Sequence, residues 1–66
     1  MKPEVVMIGL GYIGLPTAAL IASNKVFVYG VDINSDVVET INRGEIHIVE
    51  PELDIAVANA VKNGFL

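Results

Sequence analysis

The sequence predicts an α/β fold: a βαβ unit followed by helices, the first half of a doubly wound parallel sheet. Three observations predict it. The apolar run Val5-Val6-Met7-Ile8 leads straight into the glycine-rich segment Gly9-Leu10-Gly11-Tyr12-Ile13-Gly14. An alanine- and leucine-rich stretch without glycine follows, from Leu15 to Ser23. A second β-branched and aromatic run, Val26-Phe27-Val28-Tyr29-Gly30-Val31, then ends at an acid, Asp32.

Each element has a local cause. A continuous apolar run too short for a helix reads as a buried parallel strand with both faces covered, here Glu4–Ile8. The next segment reads as a helix over Ile13–Ser23. Pro16 falls in its first turn, where a missing N–H costs little. This helix is apolar nearly all round, so burial on more than one side is expected. Asn24 and Lys25 turn the chain out. Residues Val26–Val31 have strand composition, and Asp32 ends the strand.

Asn34 or Ser35 caps the second helix, with Asp36 in a first turn that favours acids. Val37, Val38 and Ile41 share one face of it, and Gly44 sits where a left-handed residue closes a helix. Glu45–Glu50 reads as a loop or short extended piece. Pro51 opens a third helix, in which Leu53, Ala56, Val57, Ala60 and Val61 recur at helical spacing, and Gly64 ends it. A βαβ crossover of this kind is right-handed in nearly all cases.

Composition narrows the function. At 66 residues and 7.0 kDa the chain is at most one small domain, and it hides only about 60% of its unfolded surface on folding. It has no cysteine, so disulfides, thiolate metal sites and a cysteine nucleophile are excluded within it. His47 is its one histidine, which excludes a multi-histidine metal site. Hydrophobic residues make up 53%, charged residues 18%, and mean hydropathy is +0.60; this is core composition, the reverse of disorder. A net charge of -4 leaves no basic patch for nucleic acid or anionic membrane. No run approaches the ~20 apolar residues of a membrane span. The signal-like start, Met1 to Ile8, breaks at Gly9 without a small-residue cleavage site. A cytoplasmic protein is expected. The end just after Gly64 reads as an interruption.

The glycine motif acquires its meaning from its setting: a strand before it, a helix opened by it, an acid closing the next strand. This is the pattern of a Rossmann-type dinucleotide site. Gly9 permits the tight turn, Gly11 lets a pyrophosphate approach the backbone, and Gly14 lets the helix lie close to the strand. The N–H groups of Tyr12 and Ile13 and the helix dipole face the pyrophosphate. Asp32 lies eighteen residues after Gly14, near the roughly 20 expected for the acid that binds the adenosine ribose. A 2′-phosphate would meet its charge, and no Arg or Lys follows at Ile33, Asn34 or Ser35. NAD is therefore expected over NADP. Asp32 can also be read as a plain strand-end acid.

Several other residues invite a reading. Tyr12's side chain covers the pyrophosphate or packs on the helix start. Ile33 lies against adenine or in the core. Thr17 bonds a carbonyl inside its helix. His47 invites a catalytic reading, but no partner acid or nucleophile stands at a fixed spacing; the other reading is a loop histidine. Glu50 caps the third helix or faces the ligand cleft. Arg43 and Lys62 sit near helix C-termini, where cations are favoured.

The run Ile8-Gly9-Leu10-Gly11-Tyr12-Ile13-Gly14-Leu15-Pro16-Thr17-Ala18 resembles the opening of the UDP-glucose/GDP-mannose dehydrogenase family. Gly30-Val31-Asp32-Ile33-Asn34 and Glu50-Pro51 fit the same pattern. The segment from Ile41 to Pro51 makes the match specific within the family. UDP-glucose dehydrogenases tend to carry Tyr-Glu-Pro-Gly-Leu where this chain has Val49-Glu50-Pro51-Glu52-Leu53, a departure at the tyrosine and the glycine. The resemblance implies oxidation of the C6 alcohol of a UDP-sugar to the carboxylate with two NAD. It also implies that residues 1–66 are the N-terminal half of the dinucleotide-binding domain, without the catalytic cysteine and lysine or the domain that binds UDP. Gly9, Gly11, Tyr12, Ile13, Gly14 and Asp32 carry over as cofactor contacts, and no catalytic residue does. The chain alone is expected to be inactive. A stand-alone NAD-sensing module and a piece without ligand affinity are the competing readings. Two strands are rarely stable alone, so a homo-oligomer is expected of any ordered form.

Overall fold

The computed structural model describes residues 4–66. Met1, Lys2 and Pro3, which open the signal-like run, lie outside the described residues. The elements come in the expected order: β1 (Val5–Ile8), α1 (Gly14–Ser23), β2 (Val28–Val31), α2 (Ser35–Asn42) and α3 (Leu53–Lys62). The strands pair in parallel, with Val5 opposite Val28 and Ile8 opposite Val31. With α1 as the crossover, this is the Rossmann βαβ unit.

The helices form one layer. α1 packs against both the sheet and α3, and its Leu15 meets the core alongside Val57 of α3, both without exposed surface. Ala18, Ala19 and Ala22 are small enough to let α3 and the sheet approach α1 closely. α1 is not buried all round, however: Leu20 stays 66% exposed. The sheet likewise departs from expectation. Val5 and Met7 pack under α1, but Val6, Ile8, Tyr29 and Val31 form a bare opposite face, with Ile8 81% exposed. An apolar strand reports what a finished sheet buries, and none of the three helices crosses to that face.

Boundaries shift for local reasons. α1 begins at Gly14 rather than Ile13, which becomes its cap residue and has no side-chain cap bond. β1 begins at Val5 rather than Glu4, although Glu4 N–H already donates to the Phe27 carbonyl at 2.9 Å. β2 begins at Val28 rather than Val26. The chain is still leaving the helix at Lys25, whose φ is 61°, and Phe27 stacks on Phe65 with ring centroids 4.6 Å apart. Asn34 rather than Ser35 caps α2, its side chain accepting from Asp36 N–H at 3.0 Å. Thr17 does bond inside its helix, donating to the Ile13 carbonyl at 2.7 Å.

α3 begins at Leu53, two residues later than Pro51. Pro51 and Glu52 form a turn, and Glu52 is the cap residue in a left-handed conformation, φ 64°. Glu50 contributes only its carbonyl, which accepts from Leu53 N–H at 3.3 Å; its carboxylate does not cap the helix. Glycine is the residue a left-handed position favours.

Two helices end in the same hydrogen-bonded motif. After α2, Gly44 N–H reaches the Ile41 carbonyl and Glu45 N–H the Thr40 carbonyl. After α3, Gly64 reaches Val61 and Phe65 reaches Ala60. These are Schellman closures, with glycine at the left-handed position, φ 76° and 80°. α1 ends with Lys25 at the equivalent place, its N–H on the Ala22 carbonyl at 3.0 Å. A side chain there costs roughly 1–2 kcal/mol, while glycine adds back about 0.4–1 kcal/mol of unfolded-chain entropy. Lys25→Gly is therefore expected to raise stability by about 0.5–1 kcal/mol in urea unfolding. A destabilised variant would contradict this account of the turn.

Candidate functional site

The site forms where β1 and β2 end side by side. Gly9 N–H extends the ladder by one rung, donating to the Val31 carbonyl at 2.7 Å. The chain then turns sharply at φ 91°, a conformation glycine adopts without cost. Leu10 drops its side chain into the core, 2% exposed, beside Gly30. Its N–H donates to Asp32 Oδ2 at 2.9 Å. At Gly11 a Cβ would meet nothing within 4 Å, so this stretch of backbone stands open. At Gly14 a Cβ would overlap the carbonyl oxygen of Gly9 and lie 2.8 Å from its carbonyl carbon. Helix and loop touch there backbone to backbone.

Tyr12 and Ile13 form the turn into α1. Their side chains are 73% and 84% exposed, and among the described residues their amides have no acceptor. The first amides of a helix lack intrahelical partners and attract anions. Pro16 leaves one further N–H out of the first turn.

Asp32 follows β2 directly. Its second oxygen, Oδ1, accepts from Asn34 N–H at 2.9 Å, a side-chain turn of the kind Asp favours. The N–H donors of Asn34 and Leu10 hold its carboxyl below the usual carboxylate value, and a positive charge on His47 acts in the same direction. It is thus a carboxylate at neutral pH. Each of its oxygens keeps a second acceptor position. Ile8, Gly9, Val31, Asp32 and Ile33 line an open groove of about 160 Å³ beside it. Ile33 is fully exposed at the rim and is not part of the core.

The structure thus brings Gly9, Gly11, Tyr12, Ile13, Gly14 and Asp32 to one end of the sheet. The residues fit a dinucleotide: open backbone at Gly11, free amides at Tyr12 and Ile13, and an ionised acid at the end of the neighbouring strand. His47 and Glu50 are exposed in the loop between α2 and α3, which Ile48 anchors, 7% exposed. Sequence reasoning missed Leu10, the residue that fixes the loop. Its only sequence signal was an apolar side chain between two glycines. Among the described residues no cluster of His, Asp or Glu could hold a metal ion. Among them, too, no helix is long and apolar enough to cross a membrane.

Known proteins share this unit. Residues 3–66 match the UDP-glucose/GDP-mannose dehydrogenase family, NAD binding domain. The chain is 62% identical over 63 residues to the UDP-N-acetyl-D-mannosamine dehydrogenase of Campylobacter jejuni, covering 96% of this chain and 16% of that protein. The UDP-D-ManNAc dehydrogenase structure from Pyrococcus horikoshii superposes with a TM-score of 0.89 at 47% identity, over 94% of this chain and 15% of that one. A ternary complex of GDP-mannose dehydrogenase from Pseudomonas aeruginosa gives 0.93 at 33% identity, over 96% and 14%. The chain thus spans only 14–16% of the length of these relatives. It belongs to the UDP-glucose/GDP-mannose dehydrogenase family, within the NAD-binding domain.

Proposed function

We propose that this chain is the N-terminal half of the NAD-binding domain of a UDP-N-acetylmannosamine 6-dehydrogenase, which forms UDP-N-acetylmannosaminuronate. One observation carries the cofactor assignment: an open glycine loop, two free amides in the turn into α1 and an ionised Asp32 meet at the ends of two parallel strands. The sugar assignment is supported by the Ile41–Pro51 segment and the Campylobacter jejuni relative. Val28 N–H donates outward to the Phe65 carbonyl at 2.8 Å, which supports a sheet that continues beyond β2 in a longer polypeptide.

In this reading Tyr12 and Ile13 amides hold the pyrophosphate, Gly11 lets it approach, and Gly9 and Gly14 set the loop against α1. Asp32 accepts from the adenosine ribose hydroxyls and rejects a 2′-phosphate. NAD held by these residues would supply the hydride acceptor for oxidation of the sugar. Taking an alcohol to a carboxylate removes two hydrides and adds one oxygen from water, which requires two NAD. The family resemblance implies a cysteine nucleophile for the oxidation to the acid, and the sequence has no cysteine, so the chain is expected to bind cofactor without turnover.

A proton–nitrogen NMR titration tests the cofactor assignment. NAD is expected to shift Gly9, Gly11, Gly14 and Asp32, and NADP to bind at least about tenfold more weakly, about 1.4 kcal/mol. Equal response to both, or shifts elsewhere, would overturn it. Self-association through the bare Val6–Ile8–Tyr29–Val31 face is part of the same proposal for the isolated chain, because exposed apolar sheet invites pairing. Sedimentation is expected to show species heavier than one 7.0 kDa chain. A compact monomer at working concentration would refute it.

A further inference from the structure

We propose that Asp32 is a positioning residue for the glycine loop, so that the ribose and pyrophosphate subsites are built as one coupled unit. The inference rests on the cofactor reading above and extends it. The backbone ladder stops at Gly9, whose N–H takes the Val31 carbonyl. The next amide, Leu10, goes to a side chain instead, Asp32 Oδ2 at 2.9 Å. Leu10 is thus pinned twice, by its amide to Asp32 and by its side chain in the core. Asn34 N–H on Oδ1 at 2.9 Å fixes the carboxylate itself. Gly11 and the free amides of Tyr12 and Ile13 follow directly, so their place depends on where Leu10 is held. Because each carboxylate oxygen keeps one acceptor position, a ribose can be bound without releasing the loop.

Two effects of Asp32 on a bound anion have opposite signs. As a nearby negative charge it repels pyrophosphate, so removing it should tighten binding. As a tether it holds the loop in shape, so removing it should weaken binding. The proposal is that the tether prevails.

The test uses the 66-residue chain with Asp32→Ala and Asp32→Asn. Both variants remove the charge; alanine removes both acceptors, whereas asparagine keeps one. Amide hydrogen exchange is measured without ligand, with Gly44, bonded to the Ile41 carbonyl, as the internal reference. Leu10 is expected to be protected in the parent chain and to exchange at least tenfold faster in Asp32→Ala, relative to Gly44. Asparagine is expected to release Leu10 or Asn34 but not both. Inorganic pyrophosphate, which has no ribose, is expected to bind about fivefold or more weakly to Asp32→Ala. Unchanged Leu10 exchange, an unprotected Leu10 in the parent, or pyrophosphate binding that is equal or tighter would overturn the proposal. If no chain binds pyrophosphate, the exchange result decides. Loss of Leu10 protection in the variant together with no NAD binding by the parent would uphold the tether and remove the cofactor reading. Loss of NAD binding with Leu10 protection intact would do the reverse.

Discussion

Gly14→Ala is expected to abolish NAD binding and to lower stability by about 3 kcal/mol or more, the upper end of overpacking costs. The added methyl would overlap the Gly9 carbonyl oxygen. That neighbour is backbone, and it cannot swing away as a side-chain tip would. Gly9 is held by its own N–H on Val31 at 2.7 Å and by its left-handed turn. Relief therefore requires α1 to lift from the sheet, and α1 carries Leu15, Ala18, Ala19 and Ala22 into the core. For a chain of 66 residues a single core rarely supplies more than about 3–5 kcal/mol, so the variant is expected to be largely unfolded. Gly11→Ala separates the two consequences. Nothing lies within 4 Å of its Cβ position, so stability should change by less than about 1 kcal/mol, while the new methyl obstructs the pyrophosphate. Urea unfolding and NAD titration of both variants check this. A Gly14→Ala chain as stable as its parent would show that the loop and helix do not meet as described.

The element order and the candidate site were legible because each had a local signature. Glycines at fixed offsets, an acid at a strand end and helical spacing of Leu53, Val57 and Ala60 do not depend on distant contacts. Cap choices were half legible. Asn34 and Ser35 are both good caps, and only geometry selects the one whose oxygen meets the Asp36 amide. Pro51 marks a helix start in general, but here Glu52 takes a left-handed turn first. The Leu10–Asp32 bond was not legible, since a backbone amide carries no residue code and its partner is twenty-two positions away. Nor was the bare face. Val5-Val6-Met7-Ile8 is apolar at every position, so no alternation distinguishes the side under α1 from the side left open. The same uniformity hides which face of α1 is the core.

Leu15 and Leu20 resolve that last ambiguity by experiment. Both lie in α1, and at about 100° per residue they point roughly 140° apart. Leu15 has no exposed surface, whereas Leu20 is 66% exposed. Leu15→Ala is expected to cost about 2–5 kcal/mol, the lost transfer energy plus the cavity it leaves. Leu20→Ala is expected to stay within about 0.5 kcal/mol. The first loss is comparable to the full stability expected of a chain this small, so Leu15→Ala should lose its cooperative urea transition while Leu20→Ala keeps it. Binding should follow the same division. Leu15 is next to Gly14, and its burial holds the first turn of α1 against the sheet, where the Tyr12 and Ile13 amides must stand ready for an anion. Loss of that anchor frees the helix start, so NAD affinity should fall with stability for Leu15→Ala and stay unchanged for Leu20→Ala. Equal effects of the two substitutions would mean that the sheet lies against a different face of α1. The glycine loop could not then occupy the position that brings Leu10 to Asp32.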